Sequence, residues 1–262
     1  MMSGICEMTT SITVAETPLV VFCLRHADDA LVLGHRLSEW SGKAPMLEED
    51  LALSNIALDL IGQARAMYQY VGTLTGQTED DLAYLRDERA YRNFLLAEQP
   101  NGDFATTIVR QFLFTSHADP FWRAMTRSAD ATLAAIAGKA EKETAYHLRH
   151  AAEWLVRLGD GTEESHRRAL SALQILWPFT GELFTRDAAE DTLIAAGISV
   201  DPEALRPVWN RTVDATLARA TLPRPADGWM QSGGRDGRHT EHLGFLLAEL
   251  QFLARSHPKA AW

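Results

Sequence analysis

The residues with the types and spacing for chemistry lie in one apolar stretch, Leu51 to Val71, LALSNIALDLIGQARAMYQYV. Leu53, Ile56, Ala57, Leu60, Ala64, Met67 and Val71 recur at three- and four-residue steps, so they share one helical face. Asn55, Asp59 and Gln63 form a second row, spaced by four, beside that stripe. Further acid and imidazole groups occur on other helical stretches: Asp28, His35 and Glu39 on the first, Glu143 and His147 on the fourth. Inward carboxylates and imidazoles in a helix bundle raise one specific chemistry, a dinuclear metal centre. It needs a Glu on each of two helices and a Glu-x-x-His pair on each of the other two. The i, i+3 step lets a carboxylate and an imidazole reach one metal pair from a single face.

The ligand count fails. The first helical stretch has no acid three residues before a His, and the stretch around Asp59 has no His. His147 is preceded at that offset by Thr144, with Glu143 four back, and Glu241 is adjacent to His242. Two matches exist, Glu163-Glu164-Ser165-His166 and Asp236-Gly237-Arg238-His239. The first reads as acids favouring a helix N-terminus, followed by the polar run Arg167-Arg168. The second lies in a Gly-rich loop, and one pair cannot assemble a centre. The residues therefore read as a buried polar network, Asp59 with Gln63 and with His35 or His147. His26, on an apolar stripe, reads as a hydrogen-bonded core histidine. No Gly-rich phosphate loop, G-x-S-x-G or C-x-x-C is present.

Helices must position these groups. The pattern predicts a first helix from Thr17 to Trp40, with Thr17 as cap and Pro18 at the first position. The second is the Leu51–Val71 stretch, entered through Glu48-Glu49-Asp50. The charged segment from Asp80 to Arg92 is expected to form one or two short helices with a solvated or partner-facing surface. A third helix runs from Asp103 to Thr126 and should kink or break at Pro120. A fourth runs from Asp130 to Leu158, and Gly159-Asp160-Gly161 stops it. A fifth is expected from Thr162 to Phe184, kinked at Pro178. Two short helices near 187–196 and 202–218, a Gly- and Pro-rich loop at 223–238 and a last helix at 240–256 complete the chain. No window alternates with period two. The fold class is all-α, a single helical domain over 17–262 after a disordered or frayed tail, 1–16.

Of the 262 residues, 46% are apolar, enough for a sizeable core. A net charge of -10 argues against a general nucleic-acid binder. No apolar run approaches the roughly 18 residues that span a bilayer, and the N-terminus lacks the basic and apolar regions of a signal peptide. Cys6 and Cys23 are no disulfide framework, and Cys23 reads as a small buried residue. These features lead us to expect a cytoplasmic protein.

Longer strings carry a resemblance. HADDALVLGHRLSEWSGKAPMLEEDLALSNIALDLIGQAR, DERAYRNFLLAEQPNGDFATTIVRQ, AIAGKAEKETAYHLRHAAEWLVRLGDGT, WPFTGELF and GRHTEHLGFLLAELQFLARSHP resemble the C-type family of subunits of multicomponent phenylacetyl-CoA monooxygenases, or epoxidases. The resemblance spans Leu24 to Trp262. It implies a ferritin-like four-helix bundle with additional C-terminal helices, and a place in aerobic phenylacetate catabolism. It implies a non-catalytic structural protein with no cofactor of its own. The di-iron centre is then expected in a paralogous, A-type catalytic subunit, served by a reductase and small accessory subunits. On this reading Glu39, Asp59, Gln63, Glu143 and His147 are remnants of a lost metal site, with Leu60 and Gly62 as apolar replacements. Arg86, Arg89, Arg92, Arg235 and Arg238 become candidate partner or CoA-side contacts, and homo-oligomerisation stays open. Two other functions remain: a di-iron enzyme using Glu39, Asp59, Glu143 and His147, or a stand-alone helical protein that binds CoA esters.

Overall fold

Local signals start each long helix. In the computed structural model, which describes residues 11–257, Thr17 accepts a hydrogen bond from the Val20 amide and Pro18 occupies the first turn of α1 (Pro18–Ser38). The acidic run Glu48-Glu49-Asp50 lies in the first turn of α2 (Leu47–Thr75), which ends at Gly76 with φ 85°. A capping box on Thr78 opens α3 (Glu79–Tyr84), and α4 (Leu95–Glu98) is a single turn. Asp103 caps α5 (Phe104–Met125) and Asp130 caps α6 (Ala131–Gly159). Thr162 caps α7 (Glu163–Leu176); α8 (Ala188–Ala195), α9 (Pro202–Arg219) and α10 (Glu241–Ser256) follow.

Helices α1 and α2 pack as one antiparallel hairpin and α5 and α6 as another. Gly34 allows the first pair its close approach: a Cβ there would lie 3.1 Å from Ile61 Cγ1 and 3.2 Å from the Ala57 carbonyl. A long crossover carrying α3 and α4 joins the hairpins, and α2 then packs on α6. This is the all-helical, ferritin-like arrangement expected, with no strand among the described residues. The described residues contain no helix long and apolar enough to cross a membrane. Apolar residues from α1, α2, α5, α6, α7 and α9 form one buried cluster.

Three expectations change. Helix α5 is not broken at Pro120, because Phe121, Trp122 and Met125 beyond it are all buried and packing outweighs local propensity. The fifth helix stops at Leu176. Pro178 offers no amide to continue it, and the chain proceeds through 3-10 turns at Trp177–Phe179 and Gly181–Phe184. The charged segment is not a solvated surface throughout, because Arg86 is completely buried. Of the expected tail, residues 1–10, including Cys6, lie outside the described residues. Within 11–16, the Ile12 amide donates to the Leu85 carbonyl and Glu16 pairs with Arg92.

Candidate functional site

Helices α2 and α6 run antiparallel, and polar residues of the two meet in register. His147 Nε2 lies 3.0 Å from Asp59 Oδ2. One turn along, Gln63 Nε2 donates to Glu143 Oε2 at 2.9 Å, and Lys139 Nζ lies 3.1 Å from the other oxygen of Glu143. His150 Nε2 is 2.8 Å from Glu49 Oε2, and the Tyr70 hydroxyl donates to Asp130 at 2.5 Å. The alternative His35 partner is not used; His35 lies at the C-terminal end of α1, near α10. Asn55 faces solvent. Glu39 does not join the group either. It accepts from Arg36 at 2.9 Å and from Asn101 at 2.8 Å, because α1 has already ended and the chain has turned toward α5.

Between α1, α2, α5 and α6 lies a small cavity of about 20 Å³, lined by His26, Asp29, Gln63, Thr115, His117 and Thr144 among others. That is room for about one water molecule, which needs roughly 10–15 Å³. His117 Nε2 is buried there with no protein partner. Burial, followed by the Arg235 charge, pushes the His117 imidazole down to about 3. Burial also holds His26 well below its usual range, with Arg235, His117 and Arg25 adding to the effect. His26 stacks on Phe121 at 4.3 Å and makes a long contact of 3.9 Å with Asp29. Burial pushes Asp29 up to about 7 against the opposing pull of Arg235.

This donor set does not fit a dinuclear metal centre. Gln63 and Thr144 line the cavity with an amide and a hydroxyl; in the Glu-x-x-His register they stand where an imidazole after Leu60 and a carboxylate before His147 would be needed. The one carboxylate on His147 is already engaged by it, and no group of three His, Cys, Asp or Glu side chains capable of holding a metal occurs among the described residues. Neither acid-x-x-His match supplies the missing half. Glu163 is exposed, and His166 contacts the Gly159 carbonyl at 2.6 Å through Nδ1. Asp236 pairs outward with Arg238.

His239 turns inward to Glu98 at 2.8 Å, a pairing that no acid-x-x-His spacing indicates. Glu98 also accepts from the Thr240 amide and hydroxyl and from Asn93 Nδ2. Two more buried pairs escaped sequence reading. Asp28 pairs with Arg86, and the Tyr68 hydroxyl completes that group. Asp29 pairs with Arg235 at 2.8 Å. The available signal was the acidic doublet Asp28-Asp29 inside the otherwise apolar run of α1.

These pairs correct the arginine assignments. Arg86 cannot meet an outside partner, because it is fully buried against Asp28, Tyr68 and Tyr91. Arg235 lies 3.4 Å over the Phe94 ring and donates to the Arg25 and Arg92 carbonyls, so it anchors the Gly-rich loop. Glu182 holds the same loop by accepting from the amides of Gly233 and Leu95. Arg92 is spent on Glu16 and on backbone carbonyls. Only Arg89 and Arg238 of the five are exposed.

A family model described as phenylacetic acid catabolic protein matches residues 2–262. The chain is also 49% identical over 246 residues to the C-type subunit of 1,2-phenylacetyl-CoA epoxidase from Escherichia coli (strain K12), covering 93% of this chain and 99% of that relative.

Proposed function

The chain belongs to the phenylacetic acid catabolic protein family, and from that premise we propose that it is the non-catalytic structural subunit of a phenylacetyl-CoA epoxidase complex. Its role is to hold a paralogous catalytic subunit, in which the di-iron centre resides, within aerobic phenylacetate breakdown. The observation that carries this reading is the pairing of Asp59 with His147 and of Gln63 with Glu143 across α2 and α6. Groups that could have been ligands are used instead as hydrogen-bond partners for one another. A bundle interior tolerates polar side chains only when they are so paired.

The residues of this chain then act through shape. The Asp59–His147 and Glu49–His150 pairs fix α2 against α6, and Lys139 balances the charge of Glu143. The Asp28–Arg86 and Asp29–Arg235 pairs fix α1 to the crossover and to the C-terminal loop. A rigid bundle is what a partner protein needs as a docking platform. An active di-iron enzyme with atypical ligands would require Glu39 beside Asp59, Glu143 and His147, and Glu39 faces Arg36 and Asn101.

Co-expression with the paralogous catalytic subunit from the same source tests the proposal. A stable complex whose iron and epoxidase activity survive the His147→Ala substitution supports it. Failure to form any complex, or loss of activity in an intact His147→Ala complex, refutes it.

A further inference from the structure

His239, just before α10, has an acceptor at each ring nitrogen. Nδ1 lies 2.8 Å from Glu98 Oε2, and Nε2 lies 3.0 Å from the Tyr91 carbonyl oxygen. A neutral imidazole carries one N–H and one bare lone pair; only the imidazolium donates from both nitrogens. With a single proton, the ring would set its lone pair against either the carboxylate or the carbonyl. The Glu98 and His239 side chains are fully buried, which leaves no solvent to relieve that contact. Glu98 itself is saturated. Its Oε1 accepts from the Thr240 amide and hydroxyl, and its Oε2 accepts from Asn93 as well as from His239. The proton between the two side chains therefore sits on the ring.

The pair also holds the start of a helix. Thr240 is the N-cap of α10, yet its side chain caps no amide of that helix and goes to Glu98 instead. The first turn of α10 is thus tied to α4 and not to its own cap. Two tethers do not involve the imidazole. Arg36 donates to the Glu98 and His242 carbonyls, and Gln251 donates to the Ala83 and Arg86 carbonyls. They confine any loosening to the first turns of α10.

Other ionisable groups face the pair from each neighbouring element. Helix α1 brings Arg36 and also Asp28, which is paired with Arg86. The crossover brings Glu88 against Gly244, Arg92 against Gly237, and Tyr91, whose phenol burial pushes up to about 12. In its own segment His239 is flanked by Arg238, paired with Asp236, and by Glu241 and His242. Burial alone would lower the His239 imidazole. The bond to Glu98, the Glu98 charge, the bond to Tyr91 and the Asp28 charge outweigh burial and raise it above the ordinary 6.5.

We propose that Glu98 and His239 form a pH-dependent clasp: His239 is held as an imidazolium, and loss of its proton frees the start of α10 from α4. The clasp is independent of the structural-subunit role. Because the folded-state value is raised, the clasp is complete below about pH 6.5. Its hold weakens by up to about tenfold per pH unit as pH rises from there to the His239 value, and levels off above it.

Nitrogen NMR of the isotope-labelled full chain, with His239 assigned through its backbone, reads the ring directly. At about pH 7.5 an ordinary histidine is about nine-tenths neutral, whereas both nitrogens of His239 should carry protons. Hydrogen exchange read by mass spectrometry over residues 241–247, corrected for the intrinsic effect of pH, should show protection falling as His239 titrates. The fall should vanish in His239→Gln and persist in His242→Gln. A neutral His239 at pH 7.5 in wild type would overturn the clasp, whether or not the variants fold. So would constant protection of 241–247 through the titration, a fall that survives in folded His239→Gln, or one that vanishes in folded His242→Gln.

Discussion

His147 Nε2 and Asp59 Oδ2 lie 3.0 Å apart across the α2–α6 contact, with the imidazole fully buried and the carboxylate 38% exposed. The two residues are unequal partners. The imidazole depends on the carboxylate, since its other nitrogen has no protein partner. The carboxylate retains water. His147→Ala should therefore lower stability by about 2–3 kcal/mol, from the lost packing and the lost bond. Asp59→Asn should cost under about 1 kcal/mol, since an amide oxygen can still accept. Urea unfolding monitored by circular dichroism checks both values.

The buried pair Asp28–Arg86 has a sharper signature. Removing one partner leaves a charge in the core with nothing opposite. Arg86→Met or Asp28→Leu alone should destabilise by about 3–5 kcal/mol. The double variant should lose less than either single one, because no isolated charge remains. Chemical denaturation of the four proteins gives the coupling directly. Equal, additive losses would contradict a mutual charge role.

Acid should unfold the protein partly through His117. Its folded-state value lies near 3, pushed down by burial and by Arg235, below the ordinary 6.5. A lowered value means that the unfolded chain takes up the proton first. The stability it contributes is present above about pH 6.5 and is lost as pH falls toward 3. Asp29, raised to about 7 from 3.8, acts in the opposite sense over much of that window, losing stability as pH rises through it. The comparison must therefore be made against a variant. Between pH 6 and 4, stability of wild type should fall about 1.4 kcal/mol per pH unit faster than that of His117→Phe. Parallel pH profiles would contradict a neutral, buried His117.

Cys23 should be inert to thiol reagents in the native state. It is buried in α1, and burial, with a smaller contribution from Asp130, pushes its thiol up to about 12. The thiolate is the reactive form. In a Cys6→Ser background, titration with a disulfide reagent at pH 8 should find no reactive thiol until denaturant is added. Rapid native reaction would mean that α1 opens readily.

Much of this architecture was legible in the residues themselves. The helix starts at Thr17 and Thr162 follow from capping chemistry; Asp103 and Asp130 read only as helix bounds, and the side chain of each of the four accepts a backbone amide. The Asp59 and Gln63 row, four residues apart, reads as one network with His35 or His147; in the structure Asp59 meets His147, while Gln63 donates separately to Glu143. What periodicity could not reveal was long-range pairing. Arg86 lies in a charged run that looks solvated, and only folding brings Asp28 to it, 58 positions away. Likewise Glu98 meets His239 across 141 positions, and no local pattern encodes that contact. Glu39 was misplaced for the reverse reason. It shares a helical row with Asp28 and His35, but it sits past the last turn of α1, where the row no longer applies.

Iron binding by this chain tests the central claim most directly. The purified protein would be reconstituted anaerobically with ferrous iron, freed of excess metal, and its iron counted by elemental analysis beside the catalytic paralogue treated in the same way. The donor set around Asp59, Gln63, Thr144 and His147 predicts no stoichiometric iron here, and the proposal that the di-iron centre resides in the paralogue predicts about two irons per chain there. About two irons in this chain, with a ligand-to-metal absorption band that disappears in His147→Ala, would contradict the account.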